Sequence, residues 1–119
     1  MVDDSRVVRK VARRITEDLG FECTEAEDGQ KAYEFCKQSM PDAILLDWKM
    51  PVMDGMEFLT KLREMKNGDH PIVIFCTIEN KAKSLQKALD AGADEYIVKP
   101  FDSEIIEAKF TMAGLIEEK

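Results

Sequence analysis

Hydrophobic positions in this chain fall into two rhythms that alternate along its length. Ala43-Ile44-Leu45-Leu46 and Ile72-Val73-Ile74-Phe75-Cys76 are short continuous apolar runs, the pattern of strands buried on both faces. Glu95-Tyr96-Ile97-Val98 is a shorter run of the same kind, and 21–26 reads as a more polar strand near a sheet edge. Between these runs the spacing becomes helical. Val8, Val11, Ile15 and Leu19 form a stripe that begins after Ser5 and stops at Gly20 in the C′ position. Ala32, Tyr33, Phe35 and Cys36 mark a second helix between the Asp28-Gly29 turn and Pro41. Met56, Leu59 and Leu62 mark a third, and a surface loop follows over 66–71. Asn80 is placed to cap a fourth helix, with Leu85, Ala88 and Leu89 inward and Ala91-Gly92 as its stop. Asp102 or Ser103 caps a fifth, whose stripe is Ile105, Ile106, Phe110 and Ala113.

Alternating strands and helices predict a parallel sheet covered on both faces, joined by right-handed crossovers. In such sheets chemistry sits at the carboxyl edge of the strands. Three apolar runs end there on hydrophilic residues: Asp47, Thr77 and Lys99. Asp3-Asp4, preceded only by Met1-Val2, would close a first strand at the same edge. An unpaired carboxylate is costly to bury, so Asp47 at the mouth of a buried strand needs a cation, a helix terminus or a reaction.

Composition narrows the choices. At 119 residues, 45% hydrophobic and 34% charged, one soluble globular domain over 1–119 is expected. The net charge of −7 argues against direct nucleic-acid binding, which favours basic surfaces. No apolar run approaches the roughly 20 residues of a membrane span. Cys23, Cys36 and Cys76 are odd in number and widely spaced, which suggests reduced thiols in a cytoplasmic protein rather than a disulfide frame or zinc site. Arg6, Arg9, Lys10, Arg13 and Arg14 share the outer face of the first helix. They read either as a solvated face or as a docking surface for an acidic partner.

Three carboxylates at close quarters repel one another and call for a counter-ion. Mg²⁺ suits one or two carboxylates with water and phosphate oxygens. Asp47 would then be a nucleophile toward phosphorus. Lys99 would offset charge on the transferred group, and Thr77 could hydrogen-bond one of its oxygens.

Taken in order, Asp3-Asp4, Asp47, Met50-Pro51 with Asp54-Gly55, Thr77 and Lys99-Pro100-Phe101 resemble the receiver domain of two-component response regulators. The resemblance spans essentially the whole chain. It implies a flavodoxin-like, doubly wound α/β fold with five helices and a five-stranded parallel sheet in the order 2-1-3-4-5. The first strand would be truncated to Met1-Val2. By position, Asp47 resembles the phosphoacceptor, taking a phosphoryl group from a sensor histidine kinase or histidine phosphotransfer protein. Asp4, Asp47 and the backbone carbonyl of Lys49 resemble Mg²⁺ ligands, with Asp3 acting through water. Thr77 resembles the switch hydroxyl, Tyr96 the switch aromatic and Lys99 the ammonium of the site. The Lys99-Pro100 bond is cis in the family, as X-Pro chemistry permits.

Lys49 and Ile78 depart from the family's usual residues, and Ile78 is bulky enough to screen an acyl phosphate from water. The implied function is a stand-alone phosphoacceptor without a DNA-binding or catalytic output, signalling in the chemotaxis manner or as a phosphorelay intermediate. It would catalyse only its own phosphorylation and dephosphorylation and pass the signal to a downstream protein. One alternative is a pseudo-receiver that binds partners without phosphate; the intact acidic set counts against it. Another is a phosphohydrolase, which usually wants a second carboxylate where Lys49 stands.

Overall fold

The apolar runs at 43–47, 72–77 and 95–98 become a three-stranded parallel sheet. In the computed structural model, which describes residues 1–78 and 82–116, these are β1 (Ala43–Asp47), β2 (Ile72–Thr77) and β3 (Glu95–Val98), in the order β1-β2-β3. Asp47 lies opposite Cys76 and Thr77 opposite Val98. The polar residues that end the runs therefore gather at one edge. Five helices intervene: α1 (Arg6–Asp18), α2 (Gly29–Gln38), α3 (Gly55–Glu64), α4 (Ala82–Asp90) and α5 (Ser103–Met112). Ser5, Asp28, Asp54 and Asp102 cap α1, α2, α3 and α5, each side chain accepting from a backbone N–H in the first turn. The expected cap of α4, Asn80, lies outside the described residues.

Five strands were expected, and three run as ladders among the described residues. Val2 stands where the first strand should be, as single parallel bridges to Ala26 and Leu46. Its N–H donates to Leu45 O and its carbonyl accepts from Asp47 N, both at 2.8 Å. On its other side Ala26 N donates to Met1 O at 3.0 Å and Asp3 N to Ala26 O at 3.1 Å. The bridges preserve the 2-1-3-4-5 order and the flavodoxin-like arrangement. Apart from the bridge at Ala26, the segment 21–26 is not a strand. Its polar sequence has only Met1 to Asp3 beside it, too little edge to sustain a ladder.

Side-chain alternation divides the sheet between two cores. Ile44, Leu46, Val73 and Phe75 pack with Ala32 and Cys36 of α2 and with Phe58, Leu59 and Leu62 of α3. Leu45, Ile74, Cys76 and Ile97 face Ala12 of α1 and Ile106 and Phe110 of α5. Continuous apolar strands are thus required, because both faces are buried. The helix faces differ from expectation in detail. In α1, Val11 is 45% exposed while Ala12 and Thr16 are buried. Thr16 satisfies its hydroxyl on the carbonyls of Ala12 and Arg13, both at 3.0 Å. Leu89 and Ile105 likewise turn outward, leaving Ala88 and Ile106 on the inner lines. Adjacent helical stripes differ by one residue, and the small side chains of Ala12 and Ala88 let their helices close on the sheet.

The basic face of α1 is partly spoken for. Glu25 accepts from Arg9 at 3.2 Å, Lys10 at 2.8 Å and Arg13 at 3.1 Å. Hydrogen bonds from Lys10 first, with Arg13 and Arg9, lower its pKa to about 2. This cluster holds the extended 21–26 segment against α1, leaving Arg6 and Arg14 exposed.

Close approach fixes the start of α3. Gly55 N donates to Trp48 O at 2.8 Å, and a Cβ at Gly55 would lie 2.2 Å from the backbone oxygen of Asp47. No side chain fits there without moving the loop that follows β1. Gly55→Ala should therefore lower stability by roughly 1–3 kcal/mol, as overpacking does. Urea unfolding with an unchanged m-value would register it; an unchanged midpoint would show that the loop yields freely.

Candidate functional site

Asp47 ends β1 with its side chain largely buried, and Asp3 is the most enclosed acid of the edge at 1% exposure. Lys99, one residue past β3, reaches both. Its Nζ donates to Asp3 Oδ2 at 2.7 Å and to Asp47 Oδ1 at 3.2 Å. Each carboxylate also accepts a backbone N–H. Ser5 N donates to Asp3 Oδ1 at 2.8 Å and Trp48 N to Asp47 Oδ1 at 2.9 Å. The first of these ties Asp3 to the N-cap of α1, so the acid and its helix are placed together.

Burial pushes the Asp47 carboxyl above its ordinary pKa, and the charge of Asp3 adds to the push. Lys99 and the Trp48 N–H act the other way without cancelling it. At Lys99, burial would lower the pKa. The hydrogen bond to Asp3 and the charges of Asp3 and Asp47 outweigh that, and the ammonium is held above its usual value. Lys99 is thus a fixed cation, and Asp47 the carboxylate whose charge is least well supported.

The site is built to take more positive charge. Asp3, Asp4 and Asp47 each offer a carboxylate oxygen, all within 4.8 Å of one another. Asp4 is exposed while the other two are buried. Three carboxylates against the Lys99 ammonium, all hard oxygen donors with one side open to solvent, fit a divalent cation such as Mg²⁺. Beside them lies a cavity of about 290 Å³ lined by Asp47, Trp48, Lys49, Thr77, Ile78 and Lys99. It has one anionic wall, an ammonium, and a threonine buried at the end of β2.

Of the residues singled out in the sequence, Asp3, Asp4, Asp47 and Lys99 form one cluster, and Thr77 and Lys49 line the adjoining cavity. Tyr96 is not among those lining residues. It pairs with Phe75 across the sheet, and its ring lies 5.0 Å from Lys109 Nζ. Lys99 N donates to Thr77 O at 2.7 Å, and the Lys99–Pro100 bond is cis. Arg9 joins unannounced by any sequence motif: its Nη1 donates to Asp3 O at 2.7 Å. Trp48 packs its ring on Phe75 with centroids 5.4 Å apart, which braces the loop carrying Asp47 and Lys49.

Comparison with known proteins is consistent with this arrangement. The model of the response regulator receiver domain matches residues 1–111. The chain is 40% identical over 101 residues to the chemotaxis protein CheY of Halobacterium salinarum, covering 85% of this chain and 82% of that one. It is 36% identical over 110 residues to CheY-3 of Vibrio cholerae, covering 92% and 85%. Its fold superposes on chemotaxis response regulator CheY4 of Vibrio cholerae with a TM-score of 0.88 at 30% identity, over 93% of this chain and 92% of that one. All three strands, the five helices' cores and every member of the acidic cluster fall within the matched span, and the chain belongs to the response regulator receiver domain family.

Proposed function

We propose that this receiver is a working phosphoacceptor over 1–119, with Asp47 as the acceptor. The observation that carries the reading is the Lys99 ammonium seated between the buried carboxylates of Asp3 and Asp47, beside a cavity that Thr77 also lines. A carboxylate oxygen of Asp47 attacks phosphorus on a phosphohistidine of a sensor kinase or phosphotransfer protein. The O–P bond forms as the P–N bond breaks, and the imidazole leaves as a neutral base once protonated. Lys99 balances charge on the phosphoryl oxygens and Thr77 donates its hydroxyl to one of them. Asp4, Asp47 and the carbonyl of Lys49 would hold Mg²⁺ directly, with Asp3 through water. When bound, the cation offsets charge on the transferring group.

Movement of Thr77 toward the phosphoryl group would let Tyr96 turn inward. That shift of a two-state equilibrium changes the surface of α4, β3 and α5 read by a downstream protein. The relatives named for chemotaxis favour that kind of output, with phosphorelay the neighbouring use. Family membership and the absence, among described residues, of a helix long and apolar enough to cross a membrane support a cytoplasmic signalling domain rather than an enzyme acting on small molecules. The competing reading, a pseudo-receiver, is disfavoured by the complete acidic cluster.

Intact-mass spectrometry after acetyl phosphate and Mg²⁺ should show one phosphoryl adduct. It should vanish with EDTA or in Asp47→Asn. Folded protein without an adduct would establish the pseudo-receiver instead.

Asp47 also predicts a pH effect. A carboxyl whose folded pKa exceeds its unfolded one loses stability as pH rises through that interval. In metal-free buffer at pH 7, Asp47→Asn should melt above the wild type, each 1 kcal/mol relieved being worth roughly 4 °C. The gap should close in acid, where Asp47 is protonated, and narrow when Mg²⁺ is added. A wild type that melts higher throughout would reject the electrostatic account.

Ile78 is 75% exposed and lines the cavity beside Asp47, where it would screen the acyl phosphate from water. Ile78→Ala should speed loss of the adduct several-fold in a timed mass assay. An unchanged decay would mean that Ile78 does not gate water.

A further inference from the structure

A second cavity, about 680 Å³, opens at the amino end of β1, away from the acidic cluster. One wall is the backbone of Ala43–Leu45 and the other the extended 22–24 segment. Its lining reaches both cores. Ala32, Cys36 and Phe58 belong to the α2–α3 side, and Phe21, Leu45 and Phe110 to the α1–α5 side. A pocket beneath one face of a sheet would touch one core only. This one lies in the plane of the sheet, where a strand would lie.

The backbone shows which strand direction fits. Val2 N donates to Leu45 O, Asp47 N to Val2 O, and Ala26 N to Met1 O. In a parallel ladder the rung before these uses the Leu45 N–H and Ala43 carbonyl on one wall, and the Thr24 N–H and Glu22 carbonyl on the other. All four line the slot at strand spacing. At its inner end stands the Met1 ammonium, which donates to Thr24 O at 2.8 Å.

We propose that this slot is a strand-acceptor site for the carboxyl-terminal end of an extended apolar peptide from another protein, lying parallel to β1. About three residues span the two walls. Each must be apolar, because alternate side chains enter opposite cores. Main-chain hydrogen bonds supply affinity, as in other strand-addition complexes. The terminal carboxylate meets the Met1 ammonium and the Leu45 N–H, which sets the direction and selects a chain end over an internal segment. Occupancy extends the ladder into Val2, and Val2 holds Asp3 in place beside Lys99. Filling the slot therefore also firms the acidic cluster from behind.

Thermal melting in metal-free buffer tests this independently of phosphoacceptor chemistry. Acetyl-valyl-isoleucyl-valine with a free carboxylate, at tenfold its Kd, should raise the midpoint by roughly 5 °C. Amide exchange at Leu45 and Thr24 should slow in the same titration. The carboxamide form should bind more weakly, and acetyl-seryl-asparaginyl-serine should have no effect. Fusing valyl-isoleucyl-valine ahead of Met1 serves as the internal control for fit. Stabilisation by the fusion without any by the free peptide would overturn binding in trans. No stabilisation by either would overturn the slot as a strand acceptor. An equal rise with octanoate would mark a lipid-type cavity, and equal binding by the carboxamide would remove the chain-end selection.

Discussion

The ion contact between Lys99 and the two acids Asp3 and Asp47 is the constraint on which the upper edge of this molecule depends. Two carboxylates this deeply buried cannot share a site without a cation, and the one supplied arrives from 52 residues beyond Asp47 and 96 beyond Asp3. The pairing ties the strand stub, β1 and β3 together at their carboxyl ends. It leaves Asp47 incompletely compensated, above its ordinary pKa, and so ready to gain from a further positive charge. The same contact therefore serves stability and leaves room for chemistry.

Everything below that edge serves to bring the three residues level. Parallel pairing sets Asp47 beside Cys76 and Thr77 beside Val98, so Lys99, the next residue, emerges at the same height. Gly55 lets α3 start against the carbonyl of Asp47. The cap at Ser5 draws the first turn of α1 onto Asp3. Arg9 from that same helix then grips the backbone oxygen of Asp3, while its guanidinium also reaches Glu25. One arginine thus couples the acidic cluster to the extended segment at the sheet's far side.

The other end of the sheet is less complete. Val2 makes the contacts of a central strand with a single residue, and the cavity behind it is bounded by both cores. That contrast separates a well-supported site edge from a receptive slot, within one sheet and along one short stub.

Much of this was legible from residues alone. Strands buried on two faces must be continuously apolar, so β1, β2 and β3 declared themselves. The polar residue ending each run marked the common edge, and the family resemblance named the same positions. The stripe of α1 was misjudged by one residue, since Val11 and Ala12 satisfy neighbouring helical lines and only packing against the sheet selects the smaller. The 21–26 segment looked like a strand because local composition permits one, but a ladder needs a partner of equal length, and its neighbour provides only Met1 to Asp3. The basic face of α1 could not be read either way. Its ion pairs with Glu25 join groups 12 to 16 residues apart through a turn in the chain. Sequence determined the periodic and local features: element type, caps, and which runs end in chemistry. Tertiary structure alone decided distances between remote charges, the helix face buried and the slot beside β1, because these depend on how separate elements pack rather than on any one element's own pattern.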